Sequence, residues 1–188
     1  CQITYITDLI TMDFICTTSD SDTGARTGTL TLPHGVVETP VFMPVGTQGT
    51  VKALTPRDLS DLGAGIILGN TYHLFLRPGC DIISKARGLH NYIAWDGPIL
   101  TDSGGYQVYS LADLRSVSDE GVSFKSHIDG SPFVFTPENV VKTQESFGVD
   151  IMMQLDECPP ADAAKKDIAS AVRRSALWAE KSRAAWSS

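Results

Sequence analysis

The chain has 188 residues, 42% hydrophobic and 20% charged, with a net charge of 15 − 22 = −7. This profile excludes a disordered chain and is long enough for one domain with a real core. The acidic balance opposes broad, non-specific nucleic-acid binding, and no apolar run reaches the ~18 residues of a membrane-spanning helix.

The first residue is Cys1, so Met12 reads as the natural start and residues 1–11 as an upstream extension. No basic segment followed by an apolar stretch marks an export signal. Residues 19–28 form a polar turn region, followed by strand candidates at 29–32 and 36–45. Pro40 and Pro44 demote the second to an interrupted or edge strand. Thr55-Pro56 reads as a helix cap and first helical residue, with Gly63 as the stop. An apolar strand follows at 65–68, then a short helix within 78–88 with Ile82, Ile83 and Ala86 on one side. Ile99-Leu100-Thr101 is a strand running into Asp102-Ser103-Gly104-Gly105.

Residues 122–128 alternate and meet 132–135 through Asp129-Gly130, a two-residue hairpin signal. Thr136-Pro137-Glu138 opens a helix in which Val140, Gln144 and Phe147 share a face beside Val141, and Gly148 ends it. Residues 149–155 are a nearly unbroken apolar strand ending at Asp156. A last helix over 163–186 places Ile168, Val172, Ala176 and Ala179 on one stripe. It runs almost to Ser188 without a cap, so both ends read as cuts. Lys165, Lys166, Arg173, Arg174, Lys181 and Arg183 on this helix form either a local basic patch or a solvated face.

Strands alternating with helices define an α/β chain built from parallel βα units. Four short apolar runs, at 41–45, 65–69, 98–101 and 149–155, suit strands buried on both faces. A complete eight-stranded barrel needs ~250 residues, so this length supports about half of one, or a small open sheet.

Asp102 and Asp156 each follow an apolar strand, where functional groups of α/β folds collect. With 122–135 inserted between their strands, the strands become neighbours and the two carboxylates project into one site. Repulsion and burial then raise the pKa of one relative to the other. Either aspartate alone reads first as a helix cap or turn residue. Gly104-Gly105 lets the backbone approach a flat ligand and present its N–H groups, and Tyr106 can stack on a base; an ordinary loop has the same composition. His73 follows another strand end and reads first as structural. His34, His90 and His127 have no ligand-like partners, and Cys1, Cys16, Cys80 and Cys158 lack metal-ligand spacing, which leaves no metal site and reduced thiols of a cytosolic protein.

These residues resemble the tRNA-guanine transglycosylases. The matching segments are Glu38-Thr39-Pro40-Val41-Phe42-Met43-Pro44-Val45-Gly46-Thr47-Gln48-Gly49-Thr50-Val51-Lys52, Gly69-Asn70-Thr71-Tyr72-His73-Leu74, Leu100-Thr101-Asp102-Ser103-Gly104-Gly105-Tyr106-Gln107, Ser126-His127-Ile128-Asp129-Gly130 and Asp156-Glu157-Cys158-Pro159. The resemblance implies the N-terminal half of a (β/α)8 TIM barrel, with a preceding short β-strand region and an inserted β-hairpin. Residues 12–188 would be an incomplete catalytic domain. It implies exchange of guanine at the anticodon wobble position of tRNA for a 7-deazaguanine of the queuosine pathway, through a covalent ribosyl-enzyme intermediate.

By the same resemblance, Asp102 is the proton acceptor and helps hold the base with Ser103, Gly104 and Gly105. Tyr106 stacks on the purine, Asp156 reads its amino and ring N–H edge, and Asn70 and Gln107 lie near the pocket. Cys158 resembles the bacterial branch. The nucleophilic aspartate and the Cys/His zinc ligands of the family fall beyond residue 188, so the chain is expected to be inactive alone. The full-length form is expected to be a cytoplasmic homodimer acting on tRNA, with no membrane partner. The alternative is a non-catalytic accessory subunit of a transglycosylase heterodimer.

Overall fold

The computed structural model describes residues 12–111 and 115–186; the upstream extension read at 1–11 lies outside the described residues. The first elements are β1 (Asp13–Ser19), β2 (Arg26–Leu32), β3 (Gly35–Thr39) and β4 (Val45–Gly46). Next come α1 (Pro56–Asp61), β5 (Ile67–Gly69), α2 (Thr71–Leu76), α3 (Cys80–Lys85), α4 (Leu89–Ile93), β6 (Ile99–Thr101) and α5 (Gly105–Leu111). The last are β7 (Arg115–Val117), β8 (Val122–Lys125), β9 (Pro132–Phe135), α6 (Pro137–Phe147), β10 (Ile151–Met152) and α7 (Lys165–Ala185).

The four expected parallel strands form one sheet in the order β10-β6-β5-β4. Val45 lies beside Leu68, Leu68 beside Leu100, and Leu100 beside Ile151, so the strands run in register and in chain order. The architecture is therefore α/β with a parallel sheet, as expected from the alternation of elements. The candidate strand at 36–45 is divided. Pro40 has no N–H to continue the antiparallel ladder of β1-β2-β3, and the chain resumes as β4 in the other sheet.

β10 is shorter than the apolar run 149–155. Its last ladder bond runs from Met153 N to Thr101 O (3.1 Å), and there the buried side chain of Gln144 joins in: Oε1 accepts from Met153 N (3.1 Å) and Thr101 Oγ1 (2.8 Å), and Nε2 donates to Met153 O (3.0 Å). The β8–β9 connection is six residues, not two. Lys125 pairs with Pro132, and Ser126 and Ser131 close the loop, leaving Asp129-Gly130 at its far end. β7 adds a third strand that the sequence did not signal.

α1 and α6 begin where expected. Thr55 with Asp58, and Thr136 with Asn139, form reciprocal caps, and Gly148 ends α6 in the left-handed conformation. Such a cap is worth about 1 kcal/mol. Val140, Val141, Gln144 and Phe147 are buried as read. Two predicted faces are corrected. On α3 only Ile83 is buried, and Ile82 is 50% exposed. On α7 the buried residues are Ala171, Trp178 and Ser182, while Ile168 and Val172 face solvent. Trp178 Nε1 donates to Asp119 O (3.1 Å), so a hydrogen-bonding aromatic, rather than the aliphatic stripe, orients the helix.

The core has three parts. Tyr72, Phe124, Phe135, Val140, Leu155 and Trp178 fill the space between the β7–β9 sheet, α6 and α7. Ile67, Leu74, Ile83, Leu89, Ile99 and Phe147 pack the helices onto the parallel sheet. Leu32, Val37 and Ile66 join the β1–β3 sheet to Leu100 and Ile151. No described helix is long and apolar enough to cross a membrane.

Candidate functional site

The parallel register brings Asn70 and Asp102 to the carboxyl ends of β5 and β6. Asp102 N continues the ladder by donating to Gly69 O (3.1 Å). The Asp102 carboxylate is saturated: Oδ1 accepts from Thr71 N (2.9 Å) and Gly104 N (3.1 Å), and Oδ2 from Asn70 Nδ2 (2.5 Å) and Gln107 Nε2 (2.8 Å). Four donors fill the acceptor capacity of one carboxylate. Thr71, whose hydroxyl also donates to Asp102 O (2.5 Å), is a partner the sequence did not single out.

Asp156 does not follow its strand directly but lies four residues beyond β10. It still reaches the same place. Ser103 Oγ donates to Asp156 Oδ1 (2.6 Å) and accepts from Gly105 N (3.0 Å). Asp102, Ser103, Gly104, Tyr106, Gln107, Met153, Gln154 and Asp156 line one cleft of about 300 Å³. The structure thus brings the two aspartates onto one cleft, with Tyr106, 61% exposed, beside them.

The glycines serve a different purpose from the one their composition suggested. Gly104 has φ +81°, and a Cβ there would press on Tyr72 and Phe135. At Gly105 a Cβ would collide with the Asp156 carbonyl and sit 2.8 Å from its Oδ1. Their N–H groups point to Asp102 and Ser103 rather than into the cleft.

Cys158 Sγ donates to Asp156 Oδ2 at 3.3 Å. Burial and the neighbouring Asp156 charge push the thiol up to about 12. The loop carrying Asp156 and Cys158 is pinned to α7: Ser175 Oγ accepts from Glu157 N (3.0 Å), and Arg174 pairs with Glu157. Arg173 and Arg174 also pair with Asp119, and Lys181 Nζ donates to Asp119 O. These three members of the cationic group brace the fold rather than forming an open basic patch.

His73 packs edge-on against Tyr72 and His127. Burial holds its pKa below the usual histidine value, helped by His127 and opposed by Asp102. Tyr72 Oη and His127 Nδ1 are hydrogen-bonded at 2.8 Å. The reading that His34 and His90 lack partners is overturned, because the structure sets both against the buried Asp150. Sequence spacing carried no signal, since the three come from a turn, a helix and a strand approach.

The sequence pattern of the family described as Queuine tRNA-ribosyltransferase matches residues 20–188. The queuine tRNA-ribosyltransferase of Desulforudis audaxviator is 63% identical over 169 residues, covering 90% of this chain and 45% of the relative. That of Moorella thermoacetica is 58% identical over 86% of this chain and 43% of its own length. That of Pelotomaculum thermopropionicum is 54% identical over 93% of this chain and 47% of its own length. The chain therefore spans just under half the length of these relatives, and with its match over residues 20–188 it belongs to the queuine tRNA-ribosyltransferase family.

Proposed function

We propose that this chain is the base-recognition half of a tRNA-guanine transglycosylase, inactive alone. The whole enzyme would exchange guanine at the anticodon wobble position for a 7-deazaguanine. The observation that carries the reading is the convergence of Asp102 and Asp156 on one cleft in a chain of this family. A purine's amino and ring N–H edge offers two donors, and one carboxylate accepts both. That Asp156 lines the cleft, with Tyr106 exposed beside it and Ser103 donating to the carboxylate, supports this role.

Forming the new N-glycosidic bond requires the incoming base to lose the proton on its attacking nitrogen, and Asp102 is the acceptor. Its oxygens already hold four donors, so the Asn70 or Gln107 amide must release Oδ2 first. The group that attacks the ribose C1′ and expels guanine lies, by the family resemblance, after residue 188. The target nucleotide must leave its stack before any of this.

Four parallel strands in chain order support the N-terminal half of a (β/α)8 barrel over residues 12–188, with β7–β9 as the insertion and β1–β3 preceding it. The family's Cys/His zinc set does not fit the described residues. Cys16, Cys80 and Cys158 stand apart on β1, α3 and the loop after β10, so no step here runs through zinc. The whole enzyme would be a cytoplasmic homodimer with tRNA and a free base as partners.

The test is incorporation of labelled guanine into tRNA. The full-length parent should incorporate it and the 188-residue chain should not. Exchange by the chain at the parent's rate overturns the fragment reading, and no exchange by the parent overturns the activity.

A further inference from the structure

At the opposite, amino-terminal edge of the parallel sheet, three elements meet on one buried carboxylate. Asp150 N donates to Ile99 O (3.0 Å), which places Asp150 where β6 and β10 begin. The Asp150 side chain is fully buried, with Ile99 N (2.8 Å) and His34 N (3.0 Å) donating to it. His34, in the β2–β3 turn, sets Nδ1 at 2.9 Å from Oδ1. His90, on α4, sets Nε2 at 3.2 Å from Oδ2. That contact is too poorly aligned for a hydrogen bond, so His90 Nε2 is a buried polar atom without a hydrogen-bond partner.

We propose that His34, His90 and Asp150 form a binding site for a divalent first-row transition ion of the zinc, cobalt or nickel type. Three lines of chemistry converge. Two imidazoles and one carboxylate are the donor set that borderline ions select over magnesium or calcium. All three ligand atoms lie within 4.8 Å of one another. Both imidazole nitrogens already reach the one carboxylate, His34 Nδ1 at 2.9 Å from Oδ1 and His90 Nε2 at 3.2 Å from Oδ2.

One rearrangement is required. The two rings are stacked, with centroids 3.6 Å apart and planes at 16°, and parallel rings cannot both aim lone pairs at one ion. His34 is the ring that turns. Its side chain is 39% exposed on a two-residue turn, whereas that of His90 is 11% exposed. Coordination would exchange the His34–Asp150 hydrogen bond for two metal–nitrogen bonds and satisfy His90 Nε2. The bound ion would lock the β2–β3 turn to the parallel sheet, on the opposite edge from Asp102.

The test titrates the 188-residue chain with Co²⁺, followed by visible d–d absorption, and with Zn²⁺, followed by the thermal midpoint. The expected result is saturation at one Co²⁺ per chain without a thiolate charge-transfer band, and a midpoint that rises with Zn²⁺. His34→Ala, a partly exposed position whose folding is checked by circular dichroism, should abolish both. Its effect should exceed the roughly 10–100-fold cost of losing an outer-shell partner, and His90→Gln should do the same. No saturable binding, a thiolate band, or binding that survives His34→Ala overturns the site.

Discussion

Ser103 Oγ donates a 2.6 Å hydrogen bond to Asp156 Oδ1, tying a loop residue after β10 to the turn that carries Asp102. The hydroxyl holds the Asp156 carboxylate against the residue next to Asp102 and also accepts from Gly105 N. A hydrogen bond to a charged group contributes about 1.5–3 kcal/mol. Ser103→Ala in the full-length parent should therefore lower kcat/KM for guanine exchange by roughly 10–100-fold, with little change in fold. An unchanged kcat/KM shows that Asp156 is held without Ser103.

Gly105→Ala should cost stability as well as activity. Its Cβ would meet the Asp156 carbonyl inside contact distance, and that carbonyl is backbone, which cannot swing aside. Overpacking of this kind costs about 1–3 kcal/mol. Urea denaturation of the 188-residue chain should show the midpoint falling with an unchanged slope.

Gln144 gives a larger expected loss. Its amide is fully buried and serves Thr101 Oγ1 and both backbone groups of Met153. Gln144→Leu keeps the volume but takes the partner from Thr101 Oγ1 and Met153 O, at about 1–3 kcal/mol each, while Met153 N keeps its bond to Thr101 O. Destabilisation of about 2 kcal/mol or more is expected by denaturant titration. A loss under about 1 kcal/mol would show that Thr101 Oγ1 and Met153 O find other partners.

The parts of the fold legible in the sequence were those with local physical causes. Thr55 and Thr136 announce helix starts because their caps are made within four residues. The apolar runs at β5 and β6 mark strands that lie within a parallel sheet. What stayed hidden was set by distant partners. The exposed stripe of α7 looked apolar in the sequence, but Trp178 and Asp119 decided which face turned inward. At the end of β10, Met153 N is shared between Thr101 O and the side chain of Gln144, seven residues before the strand begins. Of the site, Asp102, Tyr106 and Asp156 could be named from their positions after strand candidates. Thr71 and the hydroxyl bridge of Ser103 could not, because they act through geometry the sequence does not display.

Cys158 is a chemical reporter for the site. Its thiol, pushed from 9.0 to about 12 by burial and Asp156, stays protonated at neutral pH. Alkylation near pH 8 should label exposed Cys16 well before Cys158, as read by peptide mass mapping. Because the folded pKa lies above the unfolded one, the folded state binds the extra proton between them. This contribution to stability is complete below about pH 9 and is lost as pH rises toward about 12. Asp156→Asn removes the neighbouring charge, so it should bring the Cys158 pKa down and speed its alkylation.

Asp156→Ala in the parent tests the recognition role most directly. If Asp156 accepts from the amino and ring N–H groups of guanine, its loss removes two charge-assisted contacts that adenine cannot make on that edge. A site built around such contacts rejects analogues lacking them by about 10⁴–10⁵-fold, so the variant should compress the guanine-to-adenine preference by several orders of magnitude. Competition between labelled guanine and unlabelled adenine, scored as inhibition of exchange, measures it. The side chain is half-buried beside the cleft, so truncation should leave the circular dichroism of the fold intact. If the preference for guanine is unchanged in a folded variant, Asp156 does not read the base edge, and the carboxylate instead orders the loop through Ser103 and Cys158.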